Sequence, residues 1–289
     1  MPSKAVKSTR KVAQRTGQIL IGIAAVLFGV AVYGYLTLPD VRPLVETNPT
    51  TTAFIELRSD EARSEGKSPR QVQQWISYRR ISPHLKRAVL VAEDAAFWQH
   101  DGIDYDELQK SIEVDWARGQ LVRGASTITQ QLAKNLFLSP SRNPARKLRE
   151  LIITRRLEAE LPKARILELY LNVIEWGDGI YGVEAASENY FGQSASALAP
   201  SSSALLAGAI INPRVLNPAH PTSRLLRRQQ MILKRMGAVT PPVEVARSKP
   251  PVNSPEIPTV LAAEPAPDTV SEELPTPPPA TEERPAEPK

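Results

Sequence analysis

The residues best suited to chemistry fall in four short segments between Glu93 and Gly182. The first runs Glu93-Asp94-Ala95-Ala96-Phe97-Trp98-Gln99-His100-Asp101-Gly102. Read as a helix, it sets Glu93 on one face with Val89 and Leu90 behind it and Phe97 ahead. A carboxylate held among apolar groups has a raised pKa, because desolvation disfavours its charge. A general base working near neutral pH needs that tuning. The same spacing also fits a partly exposed acid at the edge of an apolar face.

The second segment is Gly124-Ala125-Ser126-Thr127-Ile128-Thr129-Gln130-Gln131-Leu132-Ala133-Lys134-Asn135. Ile128, Leu132 and Leu136 recur at helical spacing as a buried stripe, and Ser126, Gln130 and Lys134 as a polar one. Hydroxyl, amide and ammonium donors in line suit a phosphate or a sugar, and a solvated helix face has the same pattern. In the third segment, Arg146 and Lys147 precede Glu150 by four and three residues, so all three share a helix face. Residues 142–165 hold eight basic and three acidic side chains. Such a cluster serves either ordinary helical ion pairs or a reaction that expels a diphosphate. The fourth segment, Lys163 to Gly182, is apolar on two sides of a helix, which marks it as central. Its one polar stripe, Glu168, Asn172 and Glu175, must then find partners in a hydrogen-bond network.

Other matches carry less. Gly177 to Gly182 fits a dinucleotide-binding glycine pattern, but a helix precedes it where a strand is required. Ser8–Lys11 and Ser64–Lys67 fit a serine-lysine pattern with no Lys-Thr-Gly following. His84, His100 and His220 are scattered, a poor basis for a metal site. There is no cysteine, which excludes disulfides and thiol chemistry.

Helices must position these segments. From Ser82 to about Gly237 the pattern predicts a mainly α domain of about seven or eight helices. Asp104 with Glu107 resembles a capping box, Pro144 suits a first turn, and Ser223 and Gly237 bracket the last helix. Ahead of the domain, residues 40–80 read as an extended polar connector, with a strand possible at Thr51–Leu57. Thr16–Pro39 holds no charge, and its core is long enough for a bilayer interior of roughly 30 Å. Five cations and no acid in residues 1–15 predict a cytoplasmic N-terminus and a single-pass anchor. A cleaved signal peptide is the alternative. Residues 238–289 carry fourteen of the 27 prolines and a net charge of −5, a composition expected to stay disordered. The overall charge of +5 gives no reason to invoke nucleic acid.

In this order the segments closely resemble the peptidoglycan glycosyltransferase family. The resemblance rests on Glu93-Asp94-x-x-Phe97-x-x-His100-x-Gly102, Gly124-x-Ser126-Thr127-Ile128-Thr129-Gln130-Gln131-x-x-Lys134-Asn135 and Arg146-Lys147-x-x-Glu150. It continues through Ile166-Leu167-Glu168-x-Tyr170-Leu171-Asn172, Gly177 and Gly182, Tyr190-Phe191-Gly192, and Ala207-Gly208 to Asn217-Pro218. It covers about residues 45–235, placing the glycosyltransferase domain at 81–237. About 50 residues follow, too few for a transpeptidase, so the monofunctional biosynthetic form is expected.

The resemblance implies a lysozyme-like α domain beside a bacterial inner membrane, with the catalytic domain periplasmic. Glu93 would be the general base in an inverting polymerisation of lipid II that releases undecaprenyl diphosphate. Glu150 would act on the donor side. Lys134, Arg142 and Arg149 would meet the diphosphate, and Ser126, Gln130 and Gln131 the substrate. Asp94, Arg146, Lys147, Glu168 and Asn172 would support them. No cofactor is required, although a divalent metal, magnesium or manganese, could accompany the diphosphate. The implied partners are lipid II, the growing glycan chain, membrane lipids and other cell-wall synthesis or division proteins. A lytic transglycosylase or lysozyme-like hydrolase and an inactive scaffold are the rival readings.

Overall fold

A computed structural model of the chain describes residues 4–118, 126–138 and 143–237. The proline-rich segment 238–289 lies outside the described residues, as does Arg142. Helix α1 (Lys4–Leu36) contains Gly17–Leu36, 20 residues of mean hydropathy 2.3, long and apolar enough to cross a membrane. Its apolar side chains, Ile19, Ile21 and Phe28 among them, face outward.

The segment after α1 packs against the rest of the chain: Leu38, Val41, Leu44 and Ile76 are buried in the main core. The strand expected at Thr51–Leu57 is instead the start of helix α2 (Ala53–Ser64). Thr52 caps it, accepting from Ile55 N at 3.1 Å, while Glu56 complements the positive end of the helix dipole. The threonines that favour a strand by propensity here serve as a helix cap, and burial of Ile55 holds the helix in place.

Among the described residues, eight α-helices lie between Ser82 and Gly237, as the periodicity predicts. Helix α3 (Pro83–Glu93) packs with α9 (Pro200–Ala209) and α10 (Ser223–Met236). Helix α5 (Ile128–Phe137) packs with α6 (Pro144–Glu160) and α7 (Lys163–Val173). Helices α4 (Tyr105–Arg118) and α8 (Val183–Phe191) complete the set. The expected starts hold: Asp104 Oδ1 accepts from Glu107 N at 2.8 Å, and Pro144 opens α6. Gly237 follows α10, but its φ of −65° means the helix ends without a left-handed cap. The result is a mainly α, lysozyme-like domain, built around apolar stripes such as Ile128 and Leu132 on α5, both fully buried.

Helix α7 is central, as its two apolar sides require: Ile166, Leu167, Leu169, Tyr170 and Leu171 are all buried. Its polar stripe forms the expected network. Asn172 Oδ1 accepts from Ile76 N, and Asn172 Nδ2 donates to Ile76 O, each at 2.9 Å. Glu168 Oε2 accepts from Tyr78 N at 2.9 Å, and Arg58 pairs with Glu175 at 3.3 Å. The bonds from Asn172 and Glu168 satisfy the backbone at Ile76 and Tyr78.

A small three-stranded sheet, absent from the sequence expectation, closes this region. Its order is β1 (Val72–Gln73), β3 (Ile180–Tyr181), β2 (Glu175–Gly177), with β3 parallel to β1 and antiparallel to β2. The glycine pattern that mimics a dinucleotide motif is its hairpin. Gly182 has a φ of 77°, and Gly177 leaves room for Tyr190 Oη, which an added Cβ would meet at 2.0 Å.

Candidate active site

Glu93 is the last residue of α3, and Asp94, with φ −163° and ψ 82°, breaks the helix immediately after it. Phe97 therefore does not continue the helical face of Glu93; it lies in the following turn, fully buried. The break puts the Glu93 carboxylate between the two groups of helices. From α5, Gln131 Nε2 donates to Glu93 Oε2 at 3.0 Å. From α10, the Arg228 guanidinium lies 3.5 Å from Glu93 Oε1. The side chain is only 12% exposed, which decides against a plain surface acid. Burial raises its pKa above the usual glutamate range, against the lowering pull of Gln131, Arg228 and Lys134.

Gln131 is itself oriented. Tyr170 Oη, at the fully buried end of its side chain, donates to Gln131 Oε1 at 2.9 Å. That bond turns the amide nitrogen toward Glu93. Tyr170 stands in the sequence only as a member of the fourth segment, and nothing in the sequence singles out Arg228. Both reach the site through tertiary packing that local periodicity does not encode.

Asp94 ties the first two segments together. Its Oδ2 accepts from Ile128 N, at the start of α5, at 3.0 Å, and its Oδ1 meets His100 Nε2 at 2.9 Å. Gly102 N donates to His100 Nδ1 at 3.1 Å, so the ring proton sits on Nε2 and points at Asp94. Asp94, His100 and Asp104 bring ligand atoms within 4.8 Å of one another. His100 is not free to be a ligand, because its Nδ1 lone pair accepts from Gly102 and its Nε2–H faces Asp94, and Asp104 caps α4.

Within the second segment the polar stripe divides. Gln130 is buried and completes a capping box with Thr127, so it holds the start of α5. Ser126 is exposed. Lys134 is half-buried, with no ion-pair partner among the described residues, and burial lowers its pKa. It feels both Glu93 and Glu150, and so lies electrostatically between them.

Glu150 is 3% exposed and takes both cations of its helix face: Arg146 Nη1 at 2.8 Å on Oε2, and Lys147 Nζ on Oε1. With both oxygens on cations, Glu150 is poorly set to hold a divalent metal as well. The group of Lys134, Arg146 and Lys147 already supplies positive charge there. Arg149 points elsewhere, donating to Thr37 Oγ1 at 3.0 Å and Thr37 O at 2.9 Å at the end of α1. Glu168 and Asn172 brace residues 73–78 and do not enter the Glu93 site.

The chain is similar to known proteins over most of its length. The family described as Transglycosylase matches residues 61–237. A biosynthetic peptidoglycan transglycosylase of Methylobacillus flagellatus is 44% identical over 215 residues, 74% of this chain and 94% of that relative. One of Laribacter hongkongensis is 42% identical over 224 residues, 78% of this chain and 98% of the relative. A third, of Nitrosomonas eutropha, is 49% identical over 193 residues, 65% and 78% of the two chains. A buried, oriented glutamate beside a cationic group is thus found in a chain that belongs to the transglycosylase family, as a peptidoglycan glycosyltransferase of the biosynthetic kind.

Proposed function

We propose that this enzyme polymerises lipid II into β-1,4-linked glycan and releases undecaprenyl diphosphate, with Glu93 as general base. The observation that carries the reading is the Glu93 carboxylate: buried, raised in pKa, and held on one oxygen by Gln131. Glu93 takes the proton from the 4-hydroxyl of the acceptor's N-acetylglucosamine. The oxygen forms a bond to C1 of the donor's terminal sugar as the bond from C1 to the diphosphate oxygen breaks. The leaving diphosphate carries away the electron pair, and the charge developing on it meets Lys134, Arg146 and Lys147. Glu150 fixes the two cations of α6 in place. One displacement by a base-activated hydroxyl inverts the α-linked donor to a β link, with no glycosyl-enzyme intermediate. Helix α1 anchors the domain beside its lipid substrates, with its basic end in the cytoplasm and the domain outside it.

The test is to incubate the detergent-solubilised protein with labelled lipid II or, separately, with preformed glycan strands, and to resolve the products by size. A ladder of lengthening glycan from lipid II, with preformed strands intact, is the expected result. Shortened strands without polymer would make the enzyme a hydrolase. No product from either, with the protein folded, would leave a scaffold.

A further inference from the structure

Glu93 stands between two cationic groups, and the chemistry above uses only one. Lys134, Arg146 and Lys147 lie on the α5–α6 side. On the other side, Arg224, Arg227 and Arg228 of α10 line a groove of about 380 Å³ together with Ile211, Leu216 and Met231. Arg228 joins this groove to the base, 3.5 Å from Glu93 Oε1. Its Nε is buried without a hydrogen-bond partner among the described residues. Arg224 and Arg227 are exposed and have no carboxylate partner there either. Ile211 and Met231 remain 55% and 42% exposed, so apolar surface lies open beside unpaired cations.

Guanidinium groups over exposed apolar side chains suit an amphiphile whose anionic head continues into a hydrocarbon chain. The planar fork matches phosphate oxygens, and the aliphatic side chains shelter the first carbons of the chain. The polymerisation uses two such molecules at once. The donor loses its diphosphate on the Lys134 side. The sugar that Glu93 deprotonates belongs to the second molecule, which carries its own diphosphate and lipid. From this juxtaposition we propose that the α10 groove binds the lipid-diphosphate end of the acceptor. Arg224 and Arg227 hold its phosphates, and Ile211, Leu216 and Met231 hold the first part of its lipid. Arg228 couples the filled groove to Glu93, drawing charge to one carboxylate oxygen. This assignment rests on the polymerase reading.

A single-coupling assay tests it. A labelled lipid-linked donor without a 4-hydroxyl, which cannot accept, is paired with one of two acceptors. One is the intact lipid-linked disaccharide; the other is the same disaccharide as a methyl glycoside, which cannot donate. Loss of charge-assisted contacts in R224A/R227A should raise KM for the intact acceptor about tenfold or more. KM for the donor and coupling to the methyl glycoside should stay at wild-type values, and R224K/R227K should recover most of the affinity. Should the double variant misfold, Arg224→Ala alone, on the exposed side of α10, carries the same comparison. An unchanged KM for the intact acceptor would overturn the assignment, as would an equal rise in the donor's KM. A defect seen only in vesicles containing anionic phospholipid would make the groove a headgroup site instead. If the wild type couples neither acceptor, the polymerase reading itself fails; if it does and the variants match it, only the groove assignment fails.

Discussion

Glu93→Gln leaves a folded protein that no longer polymerises. The amide keeps the volume and can still meet Gln131, but it cannot accept the acceptor's proton. Loss of a general base lowers the rate by roughly 10²–10⁴-fold, measured as initial glycan synthesis from labelled lipid II. Stability moves the other way. Burial raises the pKa of Glu93 in the folded state, so the folded protein holds that proton more tightly than the unfolded chain. The stability gained from the proton is present below the unfolded-state pKa and is lost as pH rises through the folded-state value. At neutral pH the wild type therefore carries the desolvation cost of the charge, and Glu93→Gln does not. The variant should melt at or above the wild-type temperature at pH 7, with the gap closing in acid. Substantial turnover in the variant would remove Glu93 as the base. A variant that melts well below the wild type at pH 7 would contradict the account of its burial.

Asp94→Ala carries the second large effect, and it strikes the fold and the site together. The Asp94 side chain is 2% exposed and joins the turn after α3 to the start of α5. Its removal strands the Ile128 N–H and the His100 Nε2–H in a buried place, and takes a negative charge from the positive end of a helix. Two lost bonds to a charged acceptor cost about 3–5 kcal/mol. Helix α5 also carries Gln131 and Lys134, so its movement loosens the hold on Glu93, and activity should fall by more than about tenfold. Asp94→Asn keeps one acceptor oxygen and should lie between. Thermal melting and the rate at a permissive temperature give the two readouts. An alanine variant with wild-type melting and rate would show that Asp94 ties nothing together.

How far the sequence reaches is set by the range of each interaction. The helices of residues 82–237 are legible because their apolar stripes recur at short spacing, and the two-sided stripe of α7 marks it as central. The Arg146–Lys147–Glu150 cluster is legible for the same reason: one turn of helix brings the three together. The strand expected at Thr51–Leu57 failed because β-branched propensity and helix capping draw on the same threonines, and packing of Ile55 decides between them. Gln130 has the spacing of a ligand residue and the geometry of a cap. Arg149 lies beside Glu150 in sequence, yet points to Thr37, 112 residues away along the chain. Arg228 is 135 residues from Glu93, and only the packing of α10 on α3 brings them together. Chemistry held within one helix turn can be read from spacing; chemistry assembled across helices needs the fold.

The configuration of the new glycosidic bond tests the central claim most directly. Polymer made by the wild-type enzyme from α-linked lipid II can be examined by NMR at the anomeric carbon, with the denatured enzyme examined by mass spectrometry for attached sugar. A single displacement driven by Glu93 gives β linkages throughout and an unmodified protein. Retained α linkages, or a sugar attached to Glu93, would mean that this carboxylate attacks carbon and is not the base.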